Sequence, residues 1–207
     1  MEKMKFVLIL IMVSLFTFIP ISNVRLQNTS RTDYSKIEDS ILRQDSLRLA
    51  FVDSIRQEKI CAVRDFMHKS AKNQGFNIEH ITLTPEAIVD ACETENFDIP
   101  FVMAAAKLES CFGLSKRAKR TNSVFAVGCY DNGKNFSFYD SQDECVVPYI
   151  KLLKEQYLGN GKTITDILKP GCFVSIGGYR YASNMNYESQ MSNIRNNIIK
   201  SYPILLD

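Results

Sequence analysis

One carboxylate in this sequence stands where an acid can do proton work. Glu109 closes the apolar run 99–108 and is followed by Ser110-Cys111-Phe112-Gly113. An acid on the last turn of a buried helix, beside a cleft, suits a general acid whose pKa must be held up. The residues behind it, Val102, Ala105 and Ala106, fall at helical neighbour spacing. Small side chains let helices approach closely and leave the carboxylate little water. A second carboxylate is not fixed. Asp131 reads either as a turn residue or as a second acid, and Asp140 as a structural residue beside Ser141. Six cysteines (61, 92, 111, 129, 145 and 172) form no CxxC pair, and His68 and His80 are the two histidines, so no metal site is expected. Cys111 is next to the acid with no histidine near in sequence, which favours packing or a disulfide over a nucleophile. No organic cofactor is implied.

Several elements must hold these residues. Thr84-Pro85-Glu86 starts a helix, with threonine as cap and proline at its first position, running to about Asn96. Asp98-Ile99-Pro100 starts the next, which carries Glu109, and Gly113 is the expected left-handed stop. A basic stretch, 115–120, follows; it reads as a solvated face or as attraction to an anionic polymer. Asn132-Gly133, between Val127/Tyr130 and Phe136/Phe138, signals a hairpin. Ser141-x-x-Glu144 is a capping box for a helix with Val146, Tyr149, Ile150, Leu153 and Tyr157 on one side. Gly159-Asn160-Gly161 stops it, and 163–168 is a short helix or turn. Stretch 186–199 is amphipathic, with Tyr187, Met191, Ile194 and Ile198 in register.

The chain opens on Lys3 and Lys5, then an apolar stretch without charge to Ile19. Residues 1–24 therefore predict a signal peptide or an uncleaved membrane anchor. The apolar run is close to the roughly 20 residues a spanning helix needs. With the lysines inside, the remainder faces out of the cytoplasm. Residues 25–75 predict a polar linker and an amphipathic helical stalk, with Ile37, Ile41, Phe51, Ile55, Val63, Phe66 and Met67 as one stripe. Residues 76–207 form the remaining domain. A charged share of 23% with a net charge of +2 excludes a strong general affinity for nucleic acid.

The motif pair Glu109-Ser110-Cys111-Phe112-Gly113 and Asn122-Ser123-Val124-Phe125-Ala126 resembles the glucosaminidase family of cell-wall hydrolases, family 73 of the glycoside hydrolases. There a helix ends in Glu-Ser/Thr-Gly-x-Gly/Phe and Asn-x-Phe-Gly follows. Cys111 and Ala126 stand where that family has glycine. Phe138-Tyr139-Asp140-Ser141-x-x-Glu144-Cys145-Val146 is similar to the family's aromatic-x-x-Glu-Ser-Val stretch. Tyr181-Ala182-Ser183-Asn184-Met185-Asn186-Tyr187 is similar to its Tyr-Ala-x-Asp-Pro-x-Tyr, with Asn184-Met185 in place of Asp-Pro. The three motifs keep the family order over about residues 80–200.

The resemblance implies a mainly α, lysozyme-like domain with a small β-hairpin. It implies an exported or inner-membrane-anchored enzyme that cuts peptidoglycan glycan strands after N-acetylglucosamine, for the host cell or for a bacteriophage. Glu109 would be the general acid, with Tyr181 facing it across the cleft. Asn122, Tyr130, Asp131, Tyr139 and Tyr187 would contact sugar. The chain has no tryptophan, so stacking on sugar must come from tyrosine or phenylalanine. The family's longer hairpin, which carries its second acid, is shortened here, so the substrate's own acetamido group is a candidate nucleophile. Two other readings stay open: a lytic transglycosylase on the same fold, and an inactive glycan-binding or structural protein.

Overall fold

The computed structural model describes residues 31–128 and 137–206, with side chains from Glu38 onward. Over that range the chain is mainly helical. The N-terminal apolar segment lies outside the described residues. Among those described, no helix is long and apolar enough to cross a membrane.

Helix α1, Arg31–Asn73, is one uninterrupted element. Residues up to Leu49 fall in one unit, and those from Ala50 onward form a second, compact one. In the compact unit the inner face of α1 consists of Ile60, Val63, Met67 and Ala71, all buried, with Phe66 partly so. The stripe expected along the whole stalk is thus confined to its end. Ile41 and Phe51 are exposed. Three ion pairs tie α1 to helix α2, Pro85–Glu95: Arg56–Asp90 at 2.7 Å, Lys59–Glu93 at 3.1 Å and Arg64–Glu86 at 2.8 Å. The Arg56 and Arg64 pairs are exposed enough that each contributes little, whereas the Lys59 end of the third is buried; the apolar face does most of the holding.

Helix α2 starts as its sequence predicts. The Thr84 hydroxyl accepts from the Ala87 amide at 3.2 Å and donates to Asp143 at 2.9 Å. Asn96, left-handed at φ 49°, ends it. Asp98 then caps helix α3, Ile99–Ser110, by accepting from the Phe101 amide, and the same carboxylate pairs with Arg195. Helix α3 is apolar almost all round, which requires a central position. Phe101, Val102, Met103 and the three alanines after them have no exposure. Each of the three large side chains stabilises the fold by roughly 2 kcal/mol. Helix α3 packs chiefly on α7, Tyr187–Ser201, and α2 on α5, Val146–Gln156.

Between them run α4, Lys116–Thr121, and α6, Ile164–Ile167. Helix α5 does not open directly on the Ser141 cap. The Ser141 hydroxyl accepts from the Glu144 amide, but a 3-10 turn, Asp143–Cys145, intervenes. The tip of the expected hairpin lies outside the described residues. At its base the Ser137 amide donates to the Val127 carbonyl at 3.3 Å. A different β contact, not foreseen, joins Val174 to Arg180. Cys61, Cys92, Cys111, Cys145 and Cys172 are free thiols. Among the described residues no His/Cys/Asp/Glu group could hold a metal.

Gly113 is not what stops α3. Cys111 already turns left-handed at φ 51°, followed by Phe112 at 58° and Gly113 at 85°. Ala126 is left-handed too, at 54°. A residue with a Cβ loses roughly 1–2 kcal/mol in that conformation. We expect Ala126→Gly to raise stability by up to about 1 kcal/mol, after the loss of backbone entropy that glycine brings. At Gly113 a Cβ would also collide with the Gln142 side-chain amide. Gly113→Ala should therefore cost at least about 2 kcal/mol. Chemical denaturation of the two variants beside the parent chain checks both directions.

Candidate active site

Glu109 sits on the last turn of α3, one residue before the end of the helix. The left-handed run 111–113 turns the chain away at once, so no further helical turn covers the carboxylate. Ser110, buried, secures this turn: its hydroxyl donates to the Ala106 carbonyl at 3.4 Å and accepts from the Gly113 amide at 2.8 Å. Glu109 itself is half-buried and stands in the wall of an open cavity of about 290 Å³, with Gln74, Phe76, Lys107, Ser115 and Ile194.

Among the described residues, one hydrogen bond and one positive charge act on the carboxylate. Burial pushes the Glu109 pKa above the ordinary glutamate value. The Tyr187 hydroxyl donates to its Oε1 at 2.7 Å and opposes that rise, as does the positive charge of Arg117 on α4. Desolvation is the largest of the three effects, so the net direction is up. The basic helix α4 thus contributes one residue that acts on Glu109 at a distance. The Tyr187 phenol is held neutral far above its usual range, first by burial and then by the Glu109 charge.

Tyr187 is the first residue of α7. It closes a wall of stacked rings. Phe125 stacks on Tyr149 with centroids 4.0 Å apart, and Phe173 on Tyr181 at 4.5 Å. Tyr181 then meets Tyr187 at 5.4 Å and Tyr157 at 5.5 Å. The Tyr149 ring is fully buried, and its hydroxyl has no hydrogen-bond partner among the described residues. The Tyr181 hydroxyl donates to the Phe125 carbonyl at 3.2 Å. Tyr181 stands behind Tyr187 in this wall, and the tyrosine bonded to Glu109 is Tyr187.

The other sequence-selected residues divide in two groups. Asn122, left-handed at φ 53°, ends α4, and its amide donates to the carbonyls of Tyr139 at 2.9 Å and Asp140 at 3.1 Å. It fastens the return strand of the hairpin region beside Phe125. Tyr139 is half-buried there. Tyr130 and Asp131 lie outside the described residues. What sequence reasoning missed is the role of Tyr187 as the acid's partner, together with Phe173 and the ion pair of Arg180 and Glu188. A usable signal existed for Tyr187: it opens one predicted helix while Glu109 closes another.

The chain is similar to known proteins over part of its length. No protein-family model matches it. Two proteins of Streptococcus pneumoniae, from strains TIGR4 and R6, both named "Putative endo-beta-N-acetylglucosaminidase", are each 24% identical to it over 133 residues. The match covers 63% of this chain and 19% and 18% of theirs. It thus spans about a fifth of the length of these curated relatives. Among solved structures, the catalytic domain of the autolysin Auto from Listeria monocytogenes is 24% identical and aligns over 70% of this chain and 86% of that one, with a TM-score of 0.41.

The raised Glu109 pKa has a consequence for stability. Below the ordinary glutamate value the carboxyl is neutral both folded and unfolded. As pH rises past it, the unfolded chain ionises first, and stability is lost until pH passes the higher folded midpoint. Glu109→Gln lacks this loss. The melting temperature of the variant minus that of the parent should be larger at pH 7 than at pH 4; an equal gap would place the carboxylate in ordinary solvent.

Proposed function

We propose that this chain is a glycoside hydrolase acting on peptidoglycan, an endo-β-N-acetylglucosaminidase with Glu109 as proton donor. The observation that carries the reading is the state of Glu109. It is a half-buried carboxyl whose proton is held by desolvation, at the wall of an open cavity, with one phenol bonded to it. The similarity to the two pneumococcal proteins supports the substrate class. So does the order of the three sequence motifs.

In this reading the protonated Glu109 gives its proton to the oxygen bridging two sugars as that bond breaks. The resulting carboxylate accepts the Tyr187 hydroxyl, which stabilises the charge at the moment it forms. The oxocarbenium-like carbon needs a nucleophile. Asp131, the sequence candidate for a second acid, lies outside the described residues. Because the hairpin that carries the resembling family's second acid is shortened in this sequence, the acetamido oxygen of the substrate's N-acetylglucosamine is the nucleophile in this proposal, forming a cyclic intermediate. Water then opens it, and Glu109 takes the proton back. Tyr181, Tyr139 and Asn122 border the sugar-binding side in this proposal. The catalytic part is the compact unit from Ala50 onward, because the end of α1 packs into its core, and not residues 76–207 alone. The helical segment before Ala50 is a spacer that gives reach from the cell envelope, where the N-terminal segment exports or anchors the chain.

Purified cell wall separates the alternatives by product. The hydrolase leaves a new reducing N-acetylglucosamine end. An anhydro-muramic end would mean a lytic transglycosylase, and intact strands a binding protein. Glu109→Gln keeps the side-chain shape but has no proton to donate, so turbidity clearance should slow by roughly 100-fold or more. In the parent chain kcat should hold to a higher pH than an ordinary glutamate permits, because the raised pKa keeps the acid protonated.

A further inference from the structure

We propose that the ion pair between Arg180 and Glu188 is a positioning clasp that holds the Tyr187 phenol on Glu109. The inference rests on the catalytic reading above for its activity arm only. Arg180 and Glu188 stand immediately outside Tyr181 and Tyr187, so they close the ends of the segment that carries both tyrosines. Arg180 Nη2 donates to both Glu188 oxygens, at 2.8 Å and 3.0 Å. Glu188 is 1% exposed. A carboxylate so buried is retained only if its charge is met, and Arg180 supplies that charge.

Between these two ends the segment is held by further contacts of its own. Residues 183–186 are exposed. Asn184 makes an Asx turn, its side-chain oxygen accepting from the Asn186 amide at 3.0 Å. The Tyr187 amide donates to the Asn184 carbonyl at 3.1 Å. Asn186, at the start of α7, provides no side-chain cap. On the other side the segment is held by the Val174–Arg180 bridge and by the Tyr181 amide on the Phe173 carbonyl at 2.9 Å. The first turn of α7 is where Tyr187 leaves the helix toward Glu109. With the clasp closed, that turn is tied to the bridge at Arg180. With it open, the local turn and the ring contacts of Tyr187 remain, but the tie from the first turn of α7 to the bridge is lost. Arg180 Nη1 also donates to Met185 Sδ at 2.6 Å, which ties the middle of the segment to the same side chain. Arg180 acts on the site through the backbone and does not touch Glu109.

The test compares the full chain with Glu188→Gln, Arg180→Lys, the exchange Arg180→Glu with Glu188→Arg, and Tyr187→Phe as the reference for a lost phenol bond. Two readouts are taken. One is kcat and KM on glycan fragments. The other is the Glu109 carboxyl midpoint by carbon NMR on glutamate-labelled protein, assigned from the signal missing in Glu109→Gln. Glu188→Gln and Arg180→Lys should each lower kcat roughly tenfold or more, as a small misplacement of a catalytic group does, with KM within about twofold. Their Glu109 midpoints should move up toward that of Tyr187→Phe, because the phenol bond that lowers it is loosened. The charge exchange should recover part of both. Folded variants with parental kcat and midpoint would overturn the clasp. So would variants that all unfold, since the pair would then hold the fold rather than the site. If the parent chain cuts no glycan, the catalytic reading falls, and the NMR midpoints still decide whether the clasp positions Tyr187.

Discussion

The bond from the Tyr187 hydroxyl to Glu109 joins the last turn of α3 to the first turn of α7. Both ends of it are consequences of burial. The acid stays on a central apolar helix, where water is scarce, and the phenol is pressed against it by the ring wall behind. A carboxyl in such a place keeps its proton longer than it would in water. A neutral phenol beside the ionised carboxylate donates its hydroxyl to it. The geometry therefore requires α3 and α7 to lie side by side, and the buried face of Met191 and Ile198 against α3 provides this. The Asp98–Arg195 pair fastens the other end of the same contact.

The ring wall explains why so many aromatic residues lie in the C-terminal half. Phe125 arrives from the loop after α4, Tyr149 and Tyr157 from α5, and Phe173, Tyr181 and Tyr187 from the stretch leading into α7. They come from three separate parts of the chain, yet they share one surface. Offset and edge-on rings of this kind add roughly 1 kcal/mol per pair to the area they bury. They also leave few rotamers open, which suits a wall that must hold a phenol still. The backbone at 111–113 and 126 adds a further constraint. Cys111, Phe112 and Ala126 take left-handed conformations in spite of their Cβ atoms, so packing around them imposes the chain path there.

Much of the fold was legible because its signals are local. Thr84, Asp98 and Ser115 act as caps, and the apolar run 99–108 is the central helix. A cap is decided by bonds within three residues, so one stretch of sequence contains the whole argument. Signals that need a partner were less complete. Ser141 reads as a cap, but the Asp143 carboxylate is also engaged by Thr84, and a 3-10 turn comes before α5. Ile41 and Phe51 match a helical stripe by spacing, yet periodicity cannot say where along a long helix a neighbour begins.

By itself the sequence determined the helices, the capped starts of α2 and α3, and the single acid set after an apolar run. These follow from spacing of a few residues along one chain segment. The tertiary structure alone decided which tyrosine meets that acid, since Tyr181 and Tyr187 are equivalent in the motif and only packing distinguishes them. It also decided that Glu188 is buried and paired, because a charge on an amphipathic helix looks solvated until its neighbours are known. The reason is physical: backbone caps are satisfied locally, whereas a side chain's water is taken away by residues far off in the chain.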